Sequence, residues 1–231
     1  MTVHLRDISE EMEVAPDGAD ADAERGQAGF RPYRDGVKRV IDTAIVIASA
    51  PVTLPLTLIF AALIATDGHS PVFRQRRIGR NGRVFRIWKL RTMVPDAERQ
   101  LADHLAADPE AAREWARKQK LTRDPRVTPV GRLLRKTSLD ELPQLLNVLT
   151  GEMALVGPRP MMEDQRALYP GTAYYALRPG ITGPWQVSER HGSEFASRAL
   201  YDAAYARDIS LTLDLALLAR TVVVVARGTG C

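Results

Sequence analysis

The pattern of apolar and polar positions divides the chain into one long apolar run and several amphipathic segments. No charged residue occurs between Thr43 and Ala65, and the run is rich in Ile, Leu, Val and Ala. About 20 such residues span a bilayer as a straight helix. The run is apolar on every face, which argues against a surface helix of a soluble domain. We therefore predict a membrane helix.

Basic residues flank this run on both sides, and basic flanks prefer the cytoplasmic side of a membrane. Pro51 and Pro55 lie within the run, where each proline removes a backbone hydrogen bond and bends the helix. We predict a re-entrant helix that enters the membrane, breaks near Pro51 and returns to the face from which it came. A single full crossing is the alternative, because proline kinks also occur in spanning helices.

Shorter periodic patterns predict the remaining elements. Residues 72–78 and 84–90 mix apolar with basic side chains around a turn, which predicts a β-hairpin. An amphipathic helical pattern covers residues 96–120 and is interrupted at Asp108-Pro109. In the closing segment, residues 195–227, Val222 to Val225 with Arg220 and Arg227 on either side fit an interfacial helix, with a plain core helix or a buried strand as alternatives. The predicted fold class is mostly α with a small β-hairpin.

Charge is distributed unevenly along the chain. The net charge is +4, yet residues 1–30 hold eight acidic side chains against two arginines. This head has too few large apolar residues to form a core, so we predict that it is disordered. The basic remainder could bind nucleic acid, but its proximity in sequence to the apolar run favours lipid as the partner. The single cysteine, Cys231, excludes an intrachain disulfide.

The central stretch, residues 132–160, contains two adjacent carboxylates at the expected start of a helix. Ser138 and Glu141 fit a capping pattern, which places the start of the helix between them. Asp140 is favoured as the cap, because Pro143 then lies in the first turn and costs no helical hydrogen bond. The helix should bury the apolar positions that recur at helical spacing: Leu142, Leu145, Leu146 and Leu149.

The acidic pair could serve only to cap this helix, since acidic first turns are common. Its surroundings favour chemistry instead. Arg135 and two other basic residues precede Asp140 and Glu141, and Gly157-Pro158-Arg159-Pro160 forms a stiff turn after the helix. Carboxylates beside fixed arginines suit phosphoryl chemistry, in which the protein supplies a nucleophile, a divalent metal and charge stabilisation.

A second rigid loop extends from Arg178 to Gly183. Its glycines would let the backbone approach a ligand closely. Arg178 and Arg190 bracket this loop with positive charge. Together with Arg159 they predict a shared site for a diphosphate.

The run SLDELPQLLNVLTGEMALVGPRP at 138–160, followed by LRPGITGPWQVSER at 177–190, resembles the bacterial sugar transferase family. These are monotopic phosphoglycosyl transferases that start polysaccharide assembly on undecaprenyl phosphate. The resemblance covers roughly residues 34–228. It implies a UDP-sugar donor, undecaprenyl phosphate as acceptor, contact with membrane lipid, Mg²⁺ as cofactor and no nucleic acid. It also implies an inner-membrane location, with the catalytic domain facing the cytoplasm.

The resemblance also implies residue roles. Asp140 would attack the donor's β-phosphate to form a covalent aspartyl intermediate, and UMP would leave. Glu141 would help to neutralise the phosphates, and both carboxylates would be the metal ligands. Combined with the charge pattern, it gives six predicted substrate contacts: Lys89, Arg135, Arg159, Arg178, Arg190 and Asp202.

The resulting prediction has three parts. Residues 1–30 form a disordered acidic segment, residues 31–70 form the re-entrant membrane helix, and residues 71–231 form a compact cytoplasmic catalytic domain with interfacial helices. The predicted function is the first step of exopolysaccharide or other surface glycan assembly. A catalytically idle membrane scaffold of a polysaccharide-export assembly is the alternative. The oligomeric state stays open, with a homodimer as one option.

Overall fold

The computed structural model describes residues 31–118, 121–188 and 195–226. The predicted disordered head, residues 1–30, lies outside these ranges. A short π-helix, Tyr33–Val37, leads into the first α-helix. The elements that follow are α1 (Lys38–Ala65), β1 (Val72–Ile78), β2 (Val84–Leu90), α2 (Ala97–Ala107), α3 (Pro109–Lys118), α4 (Pro129–Thr137), α5 (Leu145–Thr150), β3 (Ala154–Val156), α6 (Ala173–Ala176), β4 (Gly180–Thr182), α7 (Pro184–Ser188), α8 (Arg198–Asp208) and α9 (Leu211–Ala226). Turns of 3-10 helix comprise Arg80–Gly82, Leu139–Gln144, Asp164–Leu168 and Phe195–Ser197.

The chain divides into two compact units, each assembled from separate segments. Unit 1 consists of residues 31–50, Gln75–Ile87 and Gln144–Val223. Unit 2 consists of Pro51–Arg74, Trp88–Pro143 and residues 224–226. The predicted boundaries at residues 30 and 70 stay predictions.

The apolar run forms α1, which contains both Pro51 and Pro55. The continuous stretch Tyr33–Ala65 is long and apolar enough to cross a membrane, and little of its apolar window is buried. Its helical structure is uninterrupted at Pro51, so a return to the starting face would require bending within one helix. The re-entrant course stays a prediction.

The predicted hairpin is confirmed as the antiparallel pair β1–β2. Its turn uses Asn81 and Gly82, whose φ angles of 58° and 73° lie in the left-handed region. Asparagine and glycine are the residues that adopt this region at least cost, so the turn sequence explains the turn.

Unit 1 contains a two-stranded parallel sheet that the sequence patterns did not predict. Ala154 of β3 pairs with Gly180 of β4, and Val156 pairs with Thr182. Each strand has only three residues, which is too short for the alternation of apolar and polar positions in a strand to be recognised in the sequence. Around them packs the main apolar core, in which Met153, Val148 and Leu217 are almost fully buried.

The sheet corrects the interpretation of the loop glycines. A Cβ at Gly180 would lie 2.1 Å from the backbone nitrogen of Gly157, and a Cβ at Gly183 would lie 2.1 Å from the Gly157 carbonyl oxygen. The glycines therefore allow two backbone segments to approach each other, whereas the sequence predicted approach to a ligand. This contact places the turn that carries Arg159 beside the strand that follows Arg178.

Unit 2 is built around the end of β2. The amide of Arg91 donates to the Pro71 carbonyl, and Met93 forms an antiparallel bridge with Val127. Helix α4 begins immediately after this bridge. The predicted interruption between α2 and α3 is confirmed, because Asp108 ends α2 and its carboxylate accepts from the amides of Glu110 and Ala111.

The closing segment is helical, so the predicted alternative of a buried strand is wrong. In α9, Asp214 and Leu217 are buried, whereas Leu211, Leu215, Val222 and Val223 are exposed. The exposed apolar face has the composition expected of an interfacial helix. Its location at a membrane stays a prediction.

Candidate active site

The acidic pair occupies a short 3-10 segment between two α-helices. Thr128 caps α4 by accepting from the Gly131 amide at 2.9 Å, and Pro129 occupies the first helical position. Helix α4 ends at Ser138, whose φ of 55° turns the chain. Asp140 and Glu141 follow in the first turn of the 3-10 helix.

Helical structure therefore begins at Leu139, within the predicted range from Ser138 to Glu141, but as a 3-10 helix, and Asp140 lies in its first turn instead of capping it. The α-helix begins at Leu145, because Pro143 and the tight turn after Ser138 keep the preceding segment in 3-10 geometry. The predicted apolar stripe is confirmed only in part, since Leu142 and Leu145 are partly buried and Leu145 packs against the main core. Leu146 is 51% exposed and Leu149 is 39% exposed, whereas Asn147 and Val148 are fully buried. The Asn147 amide donates to the Arg86 carbonyl and to Glu152, which explains why a polar side chain is buried there.

The two carboxylates share one ammonium group. The Nζ atom of Lys89, on β2, lies 2.6 Å from Oε1 of Glu141 and 3.8 Å from Oδ2 of Asp140. The position of Lys89 follows from the hairpin, since β2 ends one residue later at Leu90. The predicted grouping of Lys89 with the acidic pair is thus present in unit 2.

Arg135 completes the set of charged groups around Asp140. Its Nε atom donates to Oγ1 of Thr92 at 2.9 Å, which fixes the guanidinium. The positive charge of Arg135 acts on Asp140 and lowers the pKa of that carboxyl, while burial lowers the pKa of Arg135 itself. Positive groups on two sides therefore face a nearly buried carboxylate.

Burial nevertheless dominates the ionisation of Asp140. The residue is 7% exposed, and burial raises the pKa of its carboxyl to about 6, from an ordinary value of 3.8. The charge of Glu141 raises the pKa further, whereas Lys89 and Arg135 lower it. A carboxylate that is partly desolvated but still ionised near neutral pH has the character of a nucleophile or base.

The position of α4 depends on a tight backbone contact. A Cβ at Gly131 would lie 2.0 Å from the carbonyl oxygen of Thr92 and 2.7 Å from its carbonyl carbon. The same carbonyl accepts from the Thr128 amide at 3.1 Å. The end of β2 and the start of α4 are thus held together by backbone, which sets the distance between the Thr92 hydroxyl and Arg135.

Four of the predicted site residues therefore lie together in unit 2: Lys89, Arg135, Asp140 and Glu141. Arg159, Arg178 and Asp202 belong to unit 1. Arg190 lies outside the described residues. Arg159 is exposed, and its guanidinium carbon lies 5.9 Å from the ring centre of Trp185. Arg178 is half-buried and donates from Nε to the Gly151 carbonyl at 3.0 Å.

Asp202 is one of the most buried carboxyls in the described part of the chain, with 4% exposure. Burial raises its pKa to about 7, while a hydrogen bond from the Tyr169 hydroxyl, 2.9 Å long, and the charge of Arg198 lower it. A group that titrates near neutral pH in this setting is a candidate functional residue.

Arg198 was missed by the sequence analysis. Its guanidinium carbon lies 4.1 Å from the ring centre of Trp185 and 4.5 Å from that of Phe195. Burial lowers its pKa to about 10, and the nearby charges of Arg159 and Arg77 lower it further. A single arginine in a polar segment gives no sequence signal. The aromatic residues at 185 and 195 could have indicated a stacking site.

Comparison with known proteins identifies the family. The sequence profile of the bacterial sugar transferases matches residues 33–228. An exopolysaccharide production protein, ExoY, of Sinorhizobium fredii is 43% identical over 87% of this chain and 90% of its own length. The undecaprenyl-phosphate galactose phosphotransferase of Salmonella typhimurium is 41% identical over 84% of this chain and 41% of its own length. The undecaprenyl-phosphate glucose phosphotransferase of Komagataeibacter xylinus is 37% identical over 80% of this chain and 35% of its own length. The chain therefore belongs to the bacterial sugar transferase family and is a transferase enzyme.

Proposed function

We propose that this protein transfers a hexose 1-phosphate from a UDP-sugar to undecaprenyl phosphate, as the first step in the assembly of an exopolysaccharide. Two relatives are named as phosphotransferases acting on undecaprenyl phosphate, and another is named for exopolysaccharide production. The single observation that carries the proposal is the nearly buried Asp140 carboxylate, held beside Lys89 and Arg135.

The reaction has two displacements at phosphorus. An Asp140 oxygen attacks the β-phosphorus of the donor and forms a P–O bond, and the bond to the bridging oxygen breaks. UMP leaves with that electron pair. A phosphate oxygen of undecaprenyl phosphate then attacks the same phosphorus, and the Asp140 carboxylate leaves. Such covalent routes divide one difficult step into two easier ones.

The neighbouring cations provide electrostatic stabilisation. The transferred phosphorus carries charge on its free oxygens in the transition state, and fixed positive groups lower the energy of that charge. Lys89 lies within reach of both carboxylates, and Arg135 is oriented by its hydrogen bond to Thr92. These two groups are therefore assigned to the phosphates of the donor.

The acidic pair also fits Mg²⁺. This ion commonly binds one or two protein carboxylates and completes its shell with substrate phosphates and water. Asp140 and Glu141 provide the two carboxylates, and no group of three or more potential ligands is found among the described residues. When bound, the ion would neutralise phosphate charge. Glu141 is assigned chiefly to holding it, which leaves an Asp140 oxygen for attack.

Residues of unit 1 are proposed to contact other parts of the substrates. Arg159 and Arg198 flank the Trp185 ring, an arrangement suited to an anionic group with an attached planar ring. Arg190, Arg178 and Asp202 stay proposed substrate contacts.

The location proposed for the enzyme is the cytoplasmic face of the inner membrane, with α1 inserted from that face. The acceptor's phosphate lies at the headgroup plane, so a catalytic carboxylate must reach that depth. The long apolar helix supplies the attachment.

The decisive experiment compares Asp140→Asn with Asp103→Asn, an exposed position on α2 in the same unit. Purified protein in detergent is given UDP-galactose or UDP-glucose, with and without undecaprenyl phosphate. Wild type and Asp103→Asn should release UMP, with a burst of one UMP per enzyme when the acceptor is omitted. Asp140→Asn should show neither turnover nor burst. Retained turnover in Asp140→Asn would remove Asp140 from the nucleophilic role. If the wild-type protein is inactive with every UDP-sugar of a panel, the result favours the alternative that the protein is a catalytically idle membrane scaffold.

A further inference from the structure

A cleft in unit 1 is lined by a concentration of positive charge, of which the proposed reaction uses only Arg178. The cleft is narrow, with about 20 Å³ open to the centre of a water molecule, and its mouth opens to solvent. Its lining residues all belong to unit 1, whereas Asp140 belongs to unit 2. The charged side chains among them are Arg34, Lys38, Arg39, Asp42, Arg80 and Arg178.

The charges in this cleft do not balance. Arg34 pairs with Asp35 at 2.8 Å. Lys38 pairs with Asp214 at 2.6 Å and lies 3.5 Å from Asp42. The cleft thus has five positive charges against these three carboxylates, which leaves a net charge of +2, although only Arg34 and Lys38 form the ion pairs. Among the described residues, no carboxylate forms an ion pair with the three remaining cations: Arg39, Arg80 and Arg178.

Two of these arginines are held in place by the end of α5. Arg39 donates to the carbonyl oxygens of Val148 and Leu149, and Arg178 donates from Nε to the Gly151 carbonyl. Cations at the C-terminus of a helix are stabilised by its dipole. This interaction accounts for the position of both side chains, but it uses only one of the five N–H donors of Arg178.

Arg80 has no comparable hydrogen bond, although its charge is close enough to interact with that of Asp35. It lies in the hairpin turn and is half-buried, and its Nε atom is buried without a hydrogen-bond partner in the described part of the chain. Buried donors are almost always paired, and leaving one unpaired is costly. The charges of Arg80 and Arg39 also lower the pKa of Arg178, beyond the effect of burial. Like charges in close proximity and an unpaired donor both favour an anion as the missing partner.

We propose that this cleft binds a phosphate group, held by Arg80 and Arg178 and attracted by the excess positive charge. Guanidinium groups bind phosphate through paired N–H···O hydrogen bonds, and arginine is preferred for this purpose over lysine. The phosphate can come from a phospholipid headgroup or from free phosphate. The binding needs no UDP-sugar and no catalytic carboxylate.

One observation helps to distinguish a phospholipid headgroup from free phosphate as the source of the bound phosphate group. Four of the six charged lining residues, Arg34, Lys38, Arg39 and Asp42, lie at or just before the start of the apolar helix. Basic side chains at the end of a membrane helix commonly lie at headgroup depth, where anionic lipids concentrate. The phospholipid source rests on the proposed membrane location, whereas phosphate binding itself does not.

The test compares Arg80→Gln with Arg83→Gln, which removes the same charge from an exposed position on the same hairpin. Full-length protein in neutral detergent is titrated with inorganic phosphate at constant ionic strength. In a parallel arm it is titrated with short-chain phosphatidylglycerol, and with phosphatidylcholine for comparison. The rise in thermal unfolding midpoint gives the half-saturating concentration. Arg80→Lys is included, because it restores the charge if Arg80→Gln fails to fold.

Wild type and Arg83→Gln should be stabilised by at least one phosphate probe. Arg80→Gln should need a roughly tenfold higher concentration of the probe for half-saturation, the change expected for loss of one charge-assisted hydrogen bond. Arg80→Lys should be intermediate. Stabilisation by inorganic phosphate indicates a free-phosphate site, and stabilisation by phosphatidylglycerol alone indicates a lipid headgroup site. The proposal is overturned if neither probe stabilises wild type, or if Arg83→Gln weakens binding as much as Arg80→Gln.

The same titrations in Asp140→Asn separate this inference from the proposed reaction. Phosphate binding should persist in Asp140→Asn although its transfer activity is lost. Loss of binding together with activity would show that the phosphate site depends on the catalytic carboxylate, which contradicts the inference.

Discussion

Lys89 and Glu141 form an ion pair of 2.6 Å, and the same ammonium lies 3.8 Å from Asp140. One cation therefore acts on two carboxylates that are adjacent in sequence. The pair is only partly shielded, since each of its side chains is 21% exposed. Water and substrate can thus reach the Lys89 ammonium, which offsets the negative charge of the acidic pair.

The first prediction follows from this geometry. Lys89→Met should lower the rate of UMP release by about 10²- to 10³-fold, because the transition-state charge loses a fixed cation. Lys89→Arg should keep part of the activity, since it retains the charge with a different shape. Single-turnover release of UMP measures the effect on the chemical step.

Lys136→Met is the matched control, because Lys136 is exposed on α4 in the same unit. It should leave the rate within about twofold of wild type, as expected of a surface substitution away from the chemistry. Equal losses in both variants would mean that general basicity of unit 2 matters, and not the position of Lys89.

The second prediction concerns Asp202 and pH. Its folded pKa of about 7 exceeds its ordinary value of 3.8, so the folded state favours the protonated form. Below about pH 4, the ionisation of Asp202 therefore has no effect on the free energy of unfolding. As pH rises from 4 to 7, the cost of ionising Asp202 in the folded state lowers the free energy of unfolding, and above pH 7 this cost is constant. Asp202→Asn removes this cost and should be more stable than wild type at pH 8, by on the order of 2 to 4 kcal/mol.

Thermal unfolding in detergent at pH 4 and pH 8 checks this expectation. The advantage of Asp202→Asn should nearly disappear at pH 4. Asp208→Asn, at the exposed last residue of the same helix, is the control and should unfold within about 1 kcal/mol of wild type. A constant difference between Asp202→Asn and wild type at both pH values would show that Asp202 does not titrate in this range.

The third prediction concerns Gly131. Gly131→Ala places a methyl group 2.0 Å from the Thr92 carbonyl oxygen, and no flexible side chain can move to relieve the contact. Helix α4 must then shift, at a cost of about 1 to 3 kcal/mol. We expect a lower unfolding midpoint together with lower activity, because α4 carries Arg135.

Gly36→Ala is the control, because a Cβ at Gly36 has no atom within 4 Å. Its unfolding midpoint should equal or slightly exceed that of wild type, since alanine is the better helix former. Wild-type stability in Gly131→Ala would refute the tight contact between α4 and the end of β2.

The fourth prediction concerns the buried charges at the start of α1. Asp214 accepts hydrogen bonds from Lys38 at 2.6 Å, from Tyr33 at 2.7 Å and from Tyr205 at 2.6 Å. Asp214→Leu leaves Lys38 buried with only Asp42 as counter-ion, and should destabilise unit 1 by about 3 to 5 kcal/mol. The double variant Lys38→Met/Asp214→Leu should recover part of this loss in chemical denaturation.

The exposed pair Arg207–Asp208 supplies the contrast. Asp208→Ala should change stability by less than about 1 kcal/mol, as is usual for surface ion pairs. If the double variant is no more stable than Asp214→Leu, then lost packing and not the unpaired charge explains the destabilisation.

The fifth prediction concerns topology. A re-entrant α1 leaves both ends of the chain on the cytoplasmic side. Tags fused before residue 1 and after residue 231 should both be protected from a membrane-impermeant reagent in intact cells. Labelling of one tag from outside would establish a full crossing.

The sequence predicted the elements whose signals are local. The hairpin depends on Asn81-Gly82, and the break before Pro109 depends on Asp108. Each signal needs only a few neighbouring residues, and each is confirmed. The grouping of Lys89 with the acidic pair was also predicted, because the family resemblance supplied it.

The features that sequence reasoning missed depend on tertiary contacts. Leu146 and Leu149 fit a helical stripe, yet Asn147 is buried in their place because it bonds to Arg86, which is 61 residues away in the chain. The pairing of β3 with β4 joins short strands separated by more than twenty residues. Periodicity within a window cannot reveal such partners, since the competing contact lies outside the window.

The contact between Lys38 and Asp214 has a consequence for biosynthesis. The two residues are 176 positions apart. At a bacterial elongation rate of about 5 to 20 residues per second, Lys38 is made roughly 10 to 35 s before Asp214. Insertion of the apolar segment into lipid can therefore precede its docking onto α9. With the proposed membrane location, a ribosome stalled just short of residue 214 would carry a nascent chain that is already attached to the bilayer, but whose lysine still awaits its aspartate partner.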